Sequence, residues 1–327
     1  MKNKRKPAPD GIEPAVEWLR RRGHRVVLSD SAAWYDAAPR FFQAFPYHPA
    51  IDPGAEELRR VFRESRAFGL RYSAPLSAPS GRISYHVIYA KRPYGLDQVS
   101  RQTRQNIRKG LEHATYGPVP FARLAEEGWP LRRDTLVRQG RLRAETEAWW
   151  RTLCLSAEGL PGFEAWGGWA DGKLVAALIA VLSNGTFFML YQQSRTEHLK
   201  FGVNNTLGFV FTQEAVARPD VDRLFYGLQS LDADDAVDEF KFRMGYAAEP
   251  VRQRVLLHPM LRAVVNPATL AAVDFLCRVG PGRPGLLKAG GLMRFYLQGN
   301  RPLAQQDCPE CLSARKLEWT DPVKSPR

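Results

Sequence analysis

Alternating and near-continuous apolar runs dominate residues 163–193. FEAWGGWADGKLVAALIAVLSNGTFFMLYQQS holds three strand-like stretches, 163–169, 173–182 and 186–193, rich in β-branched and aromatic residues. Asp171-Gly172 separates the first two and Asn184-Gly185 the last two. Both dipeptides suit a type I′ turn, whose two central residues need positive φ, so the stretch predicts a three-stranded antiparallel meander. The period then lengthens. Leu207, Val210, Phe211 and Glu214 follow helical spacing, which predicts a helix over 203–217 stopped by Pro219. LFYGL reads as a buried strand, 235–244 as a short helix with Asp232 or Asp234 as its cap and Gly245 past its end, and PVRQRVLLHP as a closing strand.

The first third is less regular. Residues 1–12 read as a polar arm, EPAVEWLRRRG as a short helix and HRVVL as a strand. Ser31 is placed to cap a helix running to about Phe45, and a second helix is expected over 54–68, ended by Gly69. ISYHVIYA (83–90) reads as a strand and 96–114 as a helix. In that helix Arg101, Arg104 and Arg108 form a basic stripe at i, i+3 and i+7. Beyond residue 260 the pattern predicts a helix at 267–278, an amphipathic segment at 286–298 and a polar tail. The expected division is an arm at 1–12, an α/β subdomain at 13–115, a second α/β domain at 116–260 and a helical extension at 261–327.

One residue breaks the pattern. In DEFKFRMGY, Val237, Phe240 and Met244 share a helix face, and Lys241 falls inside the same stripe. An ammonium there is costly unless its stem reaches water or an anion meets it. The sequence leaves three answers open: a bound anion, solvent, or pairing with Asp238 or Asp234.

Composition narrows the partners. Of 327 residues, 47 are Lys or Arg and 34 Asp or Glu, a net charge of +13 that favours anionic partners such as RNA, phosphorylated substrates or an acidic membrane face. Hydrophobic residues make up 44%, enough for a real core. No stretch approaches the roughly 20 apolar residues that a membrane-spanning helix needs, and no apolar run follows the basic start, so a cytoplasmic protein is expected. GPGRPG (280–285) follows no strand, and its prolines lack the N–H donors a phosphate needs. Cys308 and Cys311 form a single C-x-x-C pair, short of a four-ligand zinc set, and no metal is expected.

The element order and the text GWADGKLVAALIAVLSNGTFFMLYQQSRTEHLKFGVNN, LFYGLQS and DEFKFRMGY resemble the GCN5-related N-acetyltransferase (GNAT) superfamily, in particular its FemAB-like branch. The resemblance covers about 83–257. It implies an α+β fold with a mostly antiparallel sheet flanked by helices, and leaves room for a reduced copy of the same fold in the N-terminal part. It further implies that the strands at 186–193 and 221–228 splay apart around an acyl donor, either acyl-CoA or aminoacyl-tRNA. The loop Lys200, Gly202, Val203, Asn204 and Asn205 would then offer backbone N–H groups to donor phosphate at a helix start. Apart from Gly202, that loop departs from the usual acetyltransferase pattern. Lys241 would meet a phosphate or oxyanion, Tyr191 or Tyr226 would pass a proton to the leaving group, Asp238 or Glu239 would take one from an amine, and Gln229 would orient substrate. Arg101, Arg104 and Arg108 would suit an RNA-borne donor. The competing expectation is a degenerate transferase fold that uses the basic 101–143 surface to hold nucleic acid; a third is a peripheral membrane protein using 286–298.

Overall fold

The computed structural model describes residues 11–140, 145–229, 236–279 and 284–315. It begins with α1 (Glu13–Arg21), β1 (Val26–Leu28), β2 (Ala33–Ala38), β3 (Phe41–Phe45), α2 (Ala55–Ser65), β4 (Gly69–Ala74) and β5 (Arg82–Tyr89). There follow α3 (Arg101–His113), β6 (Thr115–Pro118), α4 (Phe121–Glu127), α5 (Trp129–Arg138), α6 (Glu147–Ala157), β7 (Phe163–Ala170), β8 (Lys173–Ser183) and β9 (Thr186–Ser194). The chain continues through α7 (Val203–Ala217), β10 (Arg223–Leu228), α8 (Ala236–Arg243), β11 (Ala247–Leu257), α9 (Pro259–Arg262), α10 (Pro267–Val279) and α11 (Pro284–Gly299).

The described strands form one mixed sheet in the order β1-β2-β3-β4-β11-β5-β10-β9-β8-β7-β6. Most pairs are antiparallel. The parallel contacts, β3 with β4 and β9 with β10, arise from one connection used twice. An antiparallel meander (β1-β2-β3, then β7-β8-β9) is followed by a helix (α2, then α7) and by a strand parallel to the third. A parallel neighbour needs such a crossover, because a tight turn only reverses the chain. β5 and β11 then pair with each other between β4 and β10, joining both meander systems in one sheet.

Local chemistry accounts for the second meander. Asp171 and Gly172 have φ of 50° and 71°, and Asn184 and Gly185 of 47° and 69°, as the turn residues require. β8 is covered on both faces, which explains its unbroken apolar run. On one face Leu178 and Phe187 pack against Ile107 of α3 and Val203, Leu207 and Phe211 of α7. On the other, Ile179, Phe188 and Phe225 pack against Trp18 of α1, Leu124 of α4 and Trp150 of α6.

The helix expected over 31–45 is a hairpin, β2 and β3. Trp34, Phe42 and Phe45 are buried in the sheet's cores, and the chain reverses at Pro39-Arg40, where Arg40 has φ of 57°. Ser31 caps nothing there. Its N–H and hydroxyl donate to Glu57 in the first turn of α2, at 2.8 and 3.0 Å. Strand pairing and burial have overridden local helix preference. The helix expected from 96 starts at Arg101, because Ser100 caps it by accepting from the Thr103 N–H at 3.2 Å.

Under the junction of the two meander systems lies a buried polar chain. His86 Nε2 lies 2.8 Å from Ser73 Oγ, Gln253 Nε2 donates to that oxygen at 2.5 Å, and Arg71 Nε donates to Gln253 Oε1 at 3.2 Å. Burial first, then the positive neighbours, push the His86 imidazole down to about 3. The unfolded chain, with an ordinary histidine value near 6.5, therefore takes up a proton that the folded chain refuses. Stability contributed by neutral His86 is full above about pH 6.5 and is lost as pH falls from there toward 3. The unfolding free energy from urea titrations between pH 7 and 4.5 should fall for the wild type by on the order of 2–3 kcal/mol in this term, and more shallowly for His86→Gln.

Candidate functional site

β9 and β10 run side by side for three residue pairs, Thr186 with Arg223, Phe187 with Leu224 and Phe188 with Phe225, and then part. β9 stays with β8 as far as Ser194, whereas β10 turns to β5, where Gly227 faces Val87 and Leu228 faces His86. A bulge lies on each strand where they part. Leu190 is the extra residue of β9 between Met189 and Tyr191, and Tyr226 is the extra residue of β10 between Phe225 and Gly227. Bulges bend a strand and end its pairing, so the gap has a local cause. Among the described residues, backbone groups of β9 that point across it have no strand to bond.

The bulges also sort the side chains. Leu190 and Tyr191 both fall on the face that packs against α1 and α6, while Tyr226 falls on the opposite face, among residues of α7 and α8. The two tyrosines singled out in the sequence thus flank one slot from opposite sides. Burial raises both phenols above their ordinary value, Tyr226 well above it with help from Tyr246 and Asp238, so both hold their proton at neutral pH.

On the α7 side the Tyr226 hydroxyl donates to Gln192 Oε1, and Gln192 Nε2 donates to the Asn204 carbonyl at 2.7 Å. Lys241 Nζ lies 4.9 Å from the centre of the Tyr226 ring and bonds Asp238 Oδ1 at 2.5 Å. Asp238 also accepts from the Tyr85 hydroxyl at 2.8 Å. The Lys241 side chain is 13% exposed, so among the three answers open from sequence it is the pairing with Asp238 that the fold uses. Its ammonium nonetheless stands at the slot, 3.7 Å from where a β-carbon on Gly227 would lie. Asp238 is spent on this pair and on Tyr85, and Glu239 is exposed and bonds Arg243, so neither is a free base.

The loop after β9 forms a 3-10 turn, Thr196–Phe201, ended by Gly202, which caps α7 with φ of 76°. Arg138 fastens the turn by donating to the Ser194 carbonyl at 3.0 Å and to Thr196 Oγ1 at 2.8 Å. Val203 is buried, Asn204 and Asn205 are half-buried, and Lys200 is exposed with its Nζ 5.0 Å from the Phe201 ring. The opening N–H groups of α7 have no acceptor within the helix. α3 lies against α7 and this turn, with Arg101 and Arg108 exposed on it and Arg104 half-buried. Gln229 faces the core instead: its Oε1 accepts from Ser84 Oγ at 2.9 Å and its N–H bonds the Tyr85 carbonyl at 3.1 Å. It therefore anchors the end of β10.

On the other side of the sheet the slot opens into a cavity of about 560 Å³. Trp18, Arg22, His24, Trp149, Tyr191 and Gly227 are among its walls. The Arg22 guanidinium sits over Trp18 at 4.3 Å and Trp149 at 5.3 Å, and Arg132 over Tyr191 at 5.2 Å. His24 Nδ1 lies 2.8 Å from Asp36 Oδ1, and the His24 side chain is one of the cavity's lining residues. Sequence reasoning passed over His24 and Asp36. They come together only because β1 pairs with β2, and no local motif marks them.

No family model matches the chain. No curated protein matches it either. Solved structures do. FemX superposes with a TM-score of 0.55 at 10% identity, covering 79% of this chain and 95% of that one. A conserved protein of unknown function from Bacteroides thetaiotaomicron VPI-5482 gives 0.52 at 12% identity, covering 79% and 94%. The C-terminal domain of a putative lysylphosphatidylglycerol synthetase from Agrobacterium fabrum gives 0.50 at 12%, covering 79% and 92%. The chain thus shares the fold of these structures, FemX among them, a fold of the kind the sequence resemblance implied.

Gly202 offers a direct check on the loop. Its φ of 76° disfavours any side chain, and a β-carbon there would lie 2.3 Å from the Asn106 carbonyl oxygen. Gly202→Ala should destabilise the protein by about 2–4 kcal/mol, read as a lowered urea midpoint, through strain and forced separation of α3 from α7.

Proposed function

We propose that the protein is an acyl- or aminoacyltransferase that moves an acyl group from an activated donor to an amine by direct attack at the slot between β9 and β10. The observation that carries this reading is the short parallel pairing of those strands, which leaves a gap open to both sides of the sheet. Donor and acceptor can then approach from opposite faces and meet in the gap.

In this reading the donor enters on the α7 face. Its phosphate lies at Gly202, Val203, Asn204 and Asn205, where helix N–H groups and partial positive charge favour anions, with Lys200 at the rim. The acyl arm threads past Tyr226 and borrows the unpaired backbone of β9. Lys241, steadied by Asp238, offsets negative charge that develops beside Gly227. Tyr226 donates a hydrogen bond to the departing atom. The acceptor amine lies in the cavity against Trp18, Trp149 and Tyr191, and His24, oriented by Asp36, takes its proton. Holding both reactants in one slot supplies much of the rate, since orientation replaces a chance encounter. Arg101, Arg104 and Arg108 on α3, beside the start of α7, favour a donor with a long phosphate-bearing body. The two donor classes are an acyl-CoA and an aminoacyl-tRNA.

Thermal melting with coenzyme A and, separately, with an aminoacylated tRNA should raise Tm for one class. A ligand at about a hundred times its Kd adds about 2.7 kcal/mol. Lys241→Ala should keep the fold and lose most of that rise. Should neither class stabilise the wild type, the transferase reading falls. Once a donor is identified, His24→Ala should cut kcat by about 10²-fold or more while the donor-induced rise in Tm stays.

A further inference from the structure

α10 presents an apolar face that nothing in the described residues covers. Its far side is held: Gly290 of α11 lies against Val273 and Asp274, and Arg294 bonds Asp274 at 2.9 Å. α11 in turn is seated on the sheet through Phe295, which is buried with Val255 and Leu257. The free side carries Ala268, Ala271, Ala272, Phe275, Leu276 and Val279, all exposed and all on one face at helical spacing. Phe275 is 60% and Val279 62% exposed. Leu287, on the first turns of α11, is exposed as well. A helix apolar on both sides is normally buried on both sides, so this face is built to meet something.

Charge identifies the partner. Residues 259–300 hold five Lys or Arg (Arg262, Arg278, Arg283, Lys288, Arg294) and one acid, Asp274, which is already paired. Arg278 is exposed beside the apolar stripe, and Lys288 is exposed next to Leu287. An apolar stripe bordered by cations matches the boundary between headgroups and acyl chains of an anionic bilayer. A second copy of this chain is a poor match. Two-fold pairing through the same patch would bring like charges together with no unpaired acid from the hairpin to answer them.

We propose that α10 and the start of α11 form an interfacial anchor that docks the protein on anionic membranes. Lys288 of the same hairpin lines the cavity of about 560 Å³, so docking sets the cavity mouth beside the lipid surface. The anchor stands apart from the transferase reading, and its test reads membrane binding alone.

The test is sedimentation of the full chain with phosphatidylcholine vesicles, pure or containing about 30 mol % phosphatidylglycerol. The wild type should pellet with the anionic vesicles and far less with the neutral ones. The exposed-site double variant Phe275→Glu/Leu276→Glu should lose at least about tenfold in partitioning while its melting temperature stays near that of the wild type. Arg278→Glu should weaken binding to anionic vesicles only. A wild type that stays in the supernatant overturns the proposal, as does equal pelleting of the double variant. A wild-type dimer by light scattering that the double variant turns into monomer overturns it in favour of a self-interface.

Discussion

Everything at the candidate site depends on β9 and β10 being held together at one end and kept apart at the other. Phe188 and Phe225 form the closed end, packed on each other at 5.5 Å between ring centres. Past them each strand has a better partner on its outer side, β8 for one and β5 for the other. The strands do not part because they repel. They part because bulges at Leu190 and Tyr226 bend two well-paired strands away from each other. The gap is thus upheld by the whole sheet, and its backbone groups stay available without cost to the neighbouring ladders.

The same bulges decide what lines the gap. An unbulged β9 would turn Tyr191 to the opposite face, away from Arg132 and Trp149. An unbulged β10 would likewise misplace Tyr226, and with it the contact to Gln192. Tyr226 to Gln192 to the Asn204 carbonyl is a continuous bonded path from one wall of the slot to the first turn of α7. A ligand seated at that helix start and a ligand arm in the slot would therefore press on the same three residues.

Where the determining chemistry is local, the sequence was a good guide. Asp171-Gly172 and Asn184-Gly185 specify their turns, and the 203–217 helix runs over those same residues because its apolar spacing and Pro219 leave no alternative. Residues 31–45 misled, since AWYDAA and FFQAF carry no turn signal stronger than Pro39 and become strands by pairing with each other and with β1 and β4. Lys241 was conspicuous because it broke a pattern, yet its partner among several acids is chosen by the geometry of α8 and by Tyr85. His24 and Asp36 were invisible for the opposite reason: neither breaks any pattern, and their meeting depends on register. Gln229 was expected to orient substrate but is drawn inward by Ser84.

The position of β5 carries one more consequence. It lies between β10 and β11, although it precedes both by more than a hundred residues in the chain. Cutting the chain between the two meander systems would strip β10 of its outer neighbour and leave a raw ladder edge on each piece, an invitation to aggregation. Translation meets the same difficulty in time. β5 emerges early and waits, with both flanks unsatisfied, until β10 and then β11 leave the ribosome, so this stretch is where a chaperone would be most useful during synthesis.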